Sequence, residues 1–162
     1  VTVISDYGKG STFKFVVVEE IVNKESNLVV NEQTTLNYET FEGKKVLVVD
    51  DSKLNLKVAE NVLKNFKVST ETVTSGLECL SCVNSKKYDI IFMDIMMPNM
   101  NGVEVLKKLR EEKVNIPVIA LTADAIEGQE EKYISEGFDG YLSKPIDKTK
   151  LKVILNKYLK GE

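Results

Sequence analysis

No histidine occurs among the 162 residues of this chain. That absence excludes a Ser-His-Asp triad, any His-ligated metal site, and a phosphohistidine within the chain itself. Cysteine is nearly absent: Cys79 and Cys82 are the only two. Their C-x-x-C spacing occurs in redox pairs and in half-sites for zinc, but a structural zinc normally takes four protein ligands, and no second pair or His completes the set. A redox pair opens a helix just after a strand, whereas these two fall inside the expected helix SGLECLSCVNSKK. They read as packing residues, the usual fate of free Cys. No apolar run approaches the ~20 residues that span a bilayer, and no signal-peptide pattern is visible, so a cytoplasmic chain without membrane contact is expected; a parent protein anchored elsewhere is compatible with this. The net charge of -3 argues against a broad nucleic-acid-binding surface, and no nucleic-acid partner is expected. What is present, 43% hydrophobic and 29% charged residues, suffices for one domain with a real core.

The chain divides near its first quarter. Residues 1–20, VTVISDYGKGSTFKFVVVEE, alternate as two strands, with Val1 and Val3 and then Phe13, Phe15 and Val17 around a Gly8-Lys9-Gly10 turn, which predicts a hairpin. Residues 21–43 are rich in Asn, Glu and Thr, with few large apolar side chains, and read as a linker. Residues 44–162 are periodic and compact.

In that last region strands and helices alternate. KKVLVVD, KVSTETV, YDIIFMD, IPVIALT and GYLSK read as strands, each followed by a helical pattern. The run Ile90–Met93 is apolar throughout, as in a strand buried on both faces of a parallel sheet. In the last helix Leu151, Ile154, Leu155, Tyr158 and Leu159 form one apolar stripe. In the first, Val58, Ala59, Val62, Leu63 and Phe66 are expected on the buried face with Asn55 near the strand ends, while Leu54 and Leu56 point outward. Parallel neighbours need crossovers, so these units predict an α/β doubly wound, five-stranded parallel sheet with helices on both faces, preceded by a short hairpin. Pro117 opens the fourth strand, where its missing N–H costs least.

The polar residues that end those strands then share one edge of the sheet, the edge where ligands bind in such folds. They are Asp50 and Asp51, Asp94, Thr122, and Ser143-Lys144-Pro145. Alone, an Asp or Thr at such a junction is often a helix cap and a lysine is solvated. Together, three carboxylates repel one another unless a cation sits among them. An oxygen-only ligand set with room for water suits Mg²⁺ better than zinc.

These segments carry a family resemblance. VLVVDDSKLN, IIFMDIMMPNMNG, VIALTA and GFDGYLSKPI resemble, in order and spacing, the acidic-pair, phosphorylation-site, hydroxyl and lysine-proline segments of response regulator receiver domains. The resemblance implies a flavodoxin-like fold with strand order 2-1-3-4-5. It also implies that Asp94 accepts a phosphoryl group, with self-catalysed phosphorylation and dephosphorylation. Asp51, Asp94 and the backbone carbonyl of Met96 would hold Mg²⁺, with Asp50 acting mainly through a bound water. Lys144 would neutralise phosphoryl charge, the Lys144-Pro145 bond would be cis, and Thr122 and Tyr141 would form a switch. Asp124, two residues after Thr122, would influence loss of phosphate. Pro98 and Gly102 read as a turn into the third helix, and Met96, Met97 and Met100 as packing or partner contacts.

The N-terminal ISDYGKGSTFKFVV resembles the closing strands of the ATP-binding domain of histidine kinases, though GKGST is not a P-loop. A start at Val and an end just past the last helix fit a fragment of a hybrid sensor kinase: the kinase tail, a linker and a receiver without an output domain. The expected partners are a histidine kinase core or a histidine phosphotransfer protein, with Leu54 and Leu56 as docking residues. The rival reading is a receiver that only docks, independently of phosphate. An Asp-nucleophile phosphatase resembling the haloacid dehalogenase family would want a second Asp where Met96 stands. A flavin module would want a hydroxyl-rich loop where DDSKLN stands.

Overall fold

The computed structural model describes the backbone of residues 2–6, 10–14, 39–123 and 129–160, and the side chains of 39–123 and 131–160. It divides into two units, Val1–Leu36 and Asn37–Glu162. In the first, strands β1 (Thr2–Asp6) and β2 (Gly10–Lys14) pair antiparallel, with Val3 opposite Phe13 and Asp6 opposite Gly10. This is the hairpin that the alternation predicts. Its Gly8-Lys9 turn, residues 15–20 and the linker as far as Tyr38 lie outside the described residues.

The second unit alternates β3 (Lys45–Val49), α1 (Lys53–Lys64), β4 (Ser69–Val73), α2 (Gly76–Ser85), β5 (Ile90–Asp94), α3 (Gly102–Glu111), β6 (Val118–Thr122), α4 (Gln129–Ser135), β7 (Gly140–Ser143) and α5 (Lys148–Leu155). The last helix runs on as a π-helical turn, Asn156–Lys160. The five strands β3 to β7 pair in parallel in the order β4-β3-β5-β6-β7, which is 2-1-3-4-5 within the sheet.

Because successive side chains point to opposite faces, each strand feeds two cores. Val46, Val48, Ile90, Phe92, Ile119 and Leu121 face α1 and α5. Leu47, Val49, Ile91, Met93, Val118 and Ala120 face α2, α3 and α4. Every residue of β5 and β6 is buried, four apolar residues in each and then the terminal Asp94 or Thr122. Cys79 is fully buried in α2 and Cys82 half-buried, with no disulfide between them. Burial pushes the Cys79 thiol up to about 12, helped by its neighbour Cys82, which leaves it a packing group and a poor nucleophile.

Two expectations about α1 need correction. Leu56 is buried with Ala59 and Leu63, whereas Val58 is 43% exposed and only Leu54, at 73%, points outward as expected. Apolar residues at 54, 56, 58, 59, 62, 63 and 66 spread over an arc of about 200°, with Leu54 and Leu56 at its two edges, so the pattern alone does not choose which edge is buried. The sheet chooses it, and the three residues with the best reach into the core are Leu56, Ala59 and Leu63. In α5 and the π-helical turn after it, Leu151, Leu155 and Leu159 are buried, and Ile154 and Tyr158 pack at the margin.

The domain's packing begins before Lys44. Phe41 is buried, its ring 6.5 Å from that of Phe66, and its N–H donates to the Phe66 carbonyl at 2.9 Å.

Candidate functional site

Each strand delivers its polar residue to the same edge. Asp50 directly follows β3, Asp94 is the last residue of β5, Thr122 the last of β6, and Lys144 directly follows β7. Asp50, Asp94 and Thr122 are the buried polar residues among those described.

Local sequence keeps the carboxylates available. The N-cap of α1 is Ser52, whose Oγ accepts from the Asn55 N–H at 3.4 Å, so neither Asp50 nor Asp51 is consumed in capping. Asp50 is fixed from three directions: Oδ1 accepts from the Ser52 N–H at 2.9 Å, both oxygens accept from Asn55 Nδ2 at 3.1 and 3.2 Å, and Oδ2 accepts from Lys144 at 2.6 Å. Lys144 Nζ also lies 2.9 Å from Asp94 Oδ2. The other oxygen of Asp94, Oδ1, accepts from the Met96 N–H at 3.2 Å.

The loop after Asp94 is held close. The Gly102 N–H donates to the Ile95 carbonyl at 3.0 Å, and a Cβ at Gly102 would collide with the Asp94 carbonyl oxygen and approach the Ile95 Cα to 3.0 Å. Glycine is required here by space. Asn101 then starts α3 with a reciprocal capping box to Glu104, a pairing the sequence reading passed over. Of the three methionines that follow Asp94, Met97 is buried, Met100 is half-buried, and Met96 is 81% exposed beside the site.

One oxygen from each of Asp50, Asp51 and Asp94 falls within 4.8 Å of the others, with Asp51 exposed to solvent. Such a set of hard oxygen donors, open on one side, fits a divalent cation that keeps some of its water. Burial alone would lower the Lys144 pKa. Its hydrogen bonds to Asp50 and Asp94 and the attraction of both carboxylates outweigh that and hold the ammonium above the usual lysine range. The pocket therefore sets a permanent positive charge against an acidic cluster.

The Lys144-Pro145 bond is cis. Tyr141 is half-buried on β7, its ring 6.2 Å from that of Tyr133. Tyr133, on α4, is a residue the sequence reading missed: its hydroxyl lies 2.9 Å from Thr122 Oγ1. Nothing in the short α4 pattern signals this, because the contact depends on how α4 packs over β6. Asp124 lies outside the described residues. Beside Asp50 and Lys144, a cleft of about 210 Å³ is walled by apolar side chains, among them Leu54, Val58, Pro145 and Ile146.

A doubly wound sheet with an acidic pocket and a lysine at the carboxyl ends of its strands defines a phosphoryl-handling class of α/β domain. The pattern of the response regulator receiver domain matches residues 46–156, and the chain belongs to that family. It is a receiver domain of phosphorelay signalling. It is 36% identical over 140 residues to probable histidine kinase 4 of Oryza sativa subsp. japonica, covering 72% of this chain but only 14% of that protein's length. Among solved structures it is similar to the receiver domain of sensor histidine kinase PA1611 from Pseudomonas aeruginosa PAO1, which has a magnesium ion in its active-site cleft (30% identity, TM-score 0.65, 73% of this chain and 98% of that one). It is also similar to the receiver domain of Ssk1 from Saccharomyces cerevisiae in complex with the histidine phosphotransfer protein Ypd1 (26% identity, TM-score 0.66, 74% and 91%). No helix among the described residues is long and apolar enough to cross a membrane.

Proposed function

We propose that Asp94 is the phosphoryl acceptor, charged from a phosphohistidine carried by a histidine kinase core or a histidine phosphotransfer protein. The observation that carries this reading is a buried carboxylate at the end of β5 with the Lys144 ammonium 2.9 Å away and two further carboxylates within 4.8 Å. An Asp94 oxygen attacks phosphorus in line, the phosphorus–nitrogen bond breaks, and the imidazole leaves neutral with the proton on its other nitrogen. Lys144, held protonated, faces the charge that the phosphoryl oxygens bring. Thr122 donates a hydrogen bond to the phosphoryl group, and Tyr141 passes the change to the surface of α4, β7 and α5.

Asp51, Asp94 and the Met96 carbonyl would hold Mg²⁺, with Asp50 acting mainly through water. Bound there, Mg²⁺ supplies neutralisation of the phosphoryl charge. The partner docks on the cleft beside the pocket, where the 73% exposure of Leu54 supports an apolar contact. On this reading the first twenty residues are the end of a kinase ATP-binding domain, residues 21–43 bring in the receiver, and the parent is a cytoplasmically signalling hybrid kinase.

Mass spectrometry after treatment with acetyl phosphate and Mg²⁺ tests the reading. Wild type gains one phosphoryl mass as the phosphorus–oxygen bond of the donor breaks and acetate leaves, and Asp94→Asn gains none. An unmodified wild type would leave the protein a docking module.

A further inference from the structure

We propose that Tyr133 is a positioning residue for the switch: its hydroxyl holds Thr122 in the resting state, so that Thr122 must give up this bond when Asp94 takes a phosphoryl group. The inference rests on the reading of Asp94 as acceptor and adds a residue on α4 that restrains the reaction.

The contact joins two buried hydroxyls at 2.9 Å, and either oxygen can be the donor. Thr122 ends β6 at 6% exposure, and Tyr133 is 3% exposed. The phenol is held on several sides. Its ring meets Phe138 edge-on, at 6.4 Å and 89°, and lies 6.2 Å from Tyr141 at 31°. The end of α4 that carries it is capped, with the Phe138 N–H donating to the Tyr133 carbonyl at 3.1 Å and the Gly137 N–H to the Ile134 carbonyl at 3.0 Å. Gly137 takes φ +101°, a left-handed conformation that turns Phe138 back under the helix. Tyr133 thus touches both the hydroxyl at the pocket and the ring of Tyr141, and is the physical link between them.

The chemistry sets the direction of the effect. Threonine has one hydroxyl proton. Phosphoryl oxygens at neutral pH only accept, so Thr122 must direct its proton to them. As its side chain turns toward Asp94, a phenol packed against two rings does not follow. The Thr122–Tyr133 bond therefore stabilises the resting arrangement and contributes nothing to the phosphorylated one. Removing the Tyr133 hydroxyl takes this bond from the resting state, which favours phosphorylation.

Beryllium fluoride, a non-covalent phosphoryl mimic, tests this in the whole 162-residue chain with saturating Mg²⁺. By calorimetry Tyr133→Phe is expected to bind it about three- to tenfold more tightly than wild type, the range for one net hydrogen bond. Equal or weaker binding overturns the proposal. The Thr122→Val background separates a specific bond from a general loosening: there Tyr133→Phe should change affinity by less than about twofold, and the full gain persisting there also overturns the proposal. Wild type that takes no beryllium fluoride, or Asp94→Asn that takes it equally well, would overturn the reading of Asp94 itself and the proposal with it.

Discussion

Lys144 does two opposed things at the pocket. It lies 2.6 Å from Asp50 and 2.9 Å from Asp94, so it neutralises the carboxylates that a cation would need. Replacing it with methionine removes a competing charge while keeping the length of the stem. Lys144→Met is expected to bind Mg²⁺ at least about fivefold more tightly, since a unit charge a few ångströms away is worth ~1 kcal/mol even when well screened, yet to label far more slowly with acetyl phosphate. Calorimetry and mass spectrometry read the two effects separately, and a loss of both would show that Lys144 only supports the fold. Its titration adds a second signature. The folded pKa is raised, first against burial and then by its hydrogen bonds to Asp50 and Asp94. Its contribution to stability is therefore complete below the unfolded value of roughly 10.4 and is lost as pH rises through the higher folded value. Denaturation midpoints of wild type should fall in that alkaline window more steeply than those of Lys144→Met.

At the scale of elements, α1 separates packing from recognition. Leu56 is 6% exposed and belongs to the core, while Leu54, two residues earlier, is 73% exposed beside the cleft. Leu56→Ala should cost about 3 kcal/mol in urea unfolding. Leu54→Ala should change stability by less than about 0.5 kcal/mol and should slow transfer from a phosphohistidine partner while leaving labelling by acetyl phosphate intact. Equal transfer rates would remove Leu54 from the docking surface. The same helix marks how far the sequence could be read. The strand ends were legible because Asp50, Asp94 and Thr122 each close an apolar run and Lys144 follows the last strand, and a parallel sheet brings such ends to one edge. The phase of α1 was not, because Leu54 and Leu56 lie at opposite edges of a broad apolar arc and only the sheet decides between them. Tyr133 was not legible either, since its partner hydroxyl is a neighbour across the fold. Asn101 and Glu104 could have been found, as their spacing is that of a capping box.

For the whole receiver unit, the segment before the first strand of the sheet behaves as part of the core. Phe41 packs on Phe66, the Lys44 N–H donates to the Phe41 carbonyl at 3.1 Å, and Lys160 stands over the Phe41 ring. Glu39 reaches the far end of the chain, accepting from Asn156 at 2.6 Å and Lys160 at 2.7 Å. The Lys160 hydrogen bond, and then that of Asn156, hold its carboxyl below the usual range. That contribution is present above the ordinary glutamate pKa and is lost as pH falls through the lowered one. The entry and exit of the unit are thus stapled together beside Phe66, away from the strand ends that carry the acidic pocket. A chain beginning at Asn37 should melt cooperatively and label at Asp94, whereas one beginning at Lys44 loses both anchors. Phe41→Ala alone should cost about 3 kcal/mol, a fall of roughly 10 °C in the midpoint for a unit of this size. Its labelling by acetyl phosphate, measured well below that midpoint, should be unchanged, because Phe41 packs on Phe66 past the C-terminal end of α1, whereas Asp50 lies by the helix's other end. Equal midpoints for the Asn37 and Lys44 chains would mean that the staple is decorative and that the domain starts at β3.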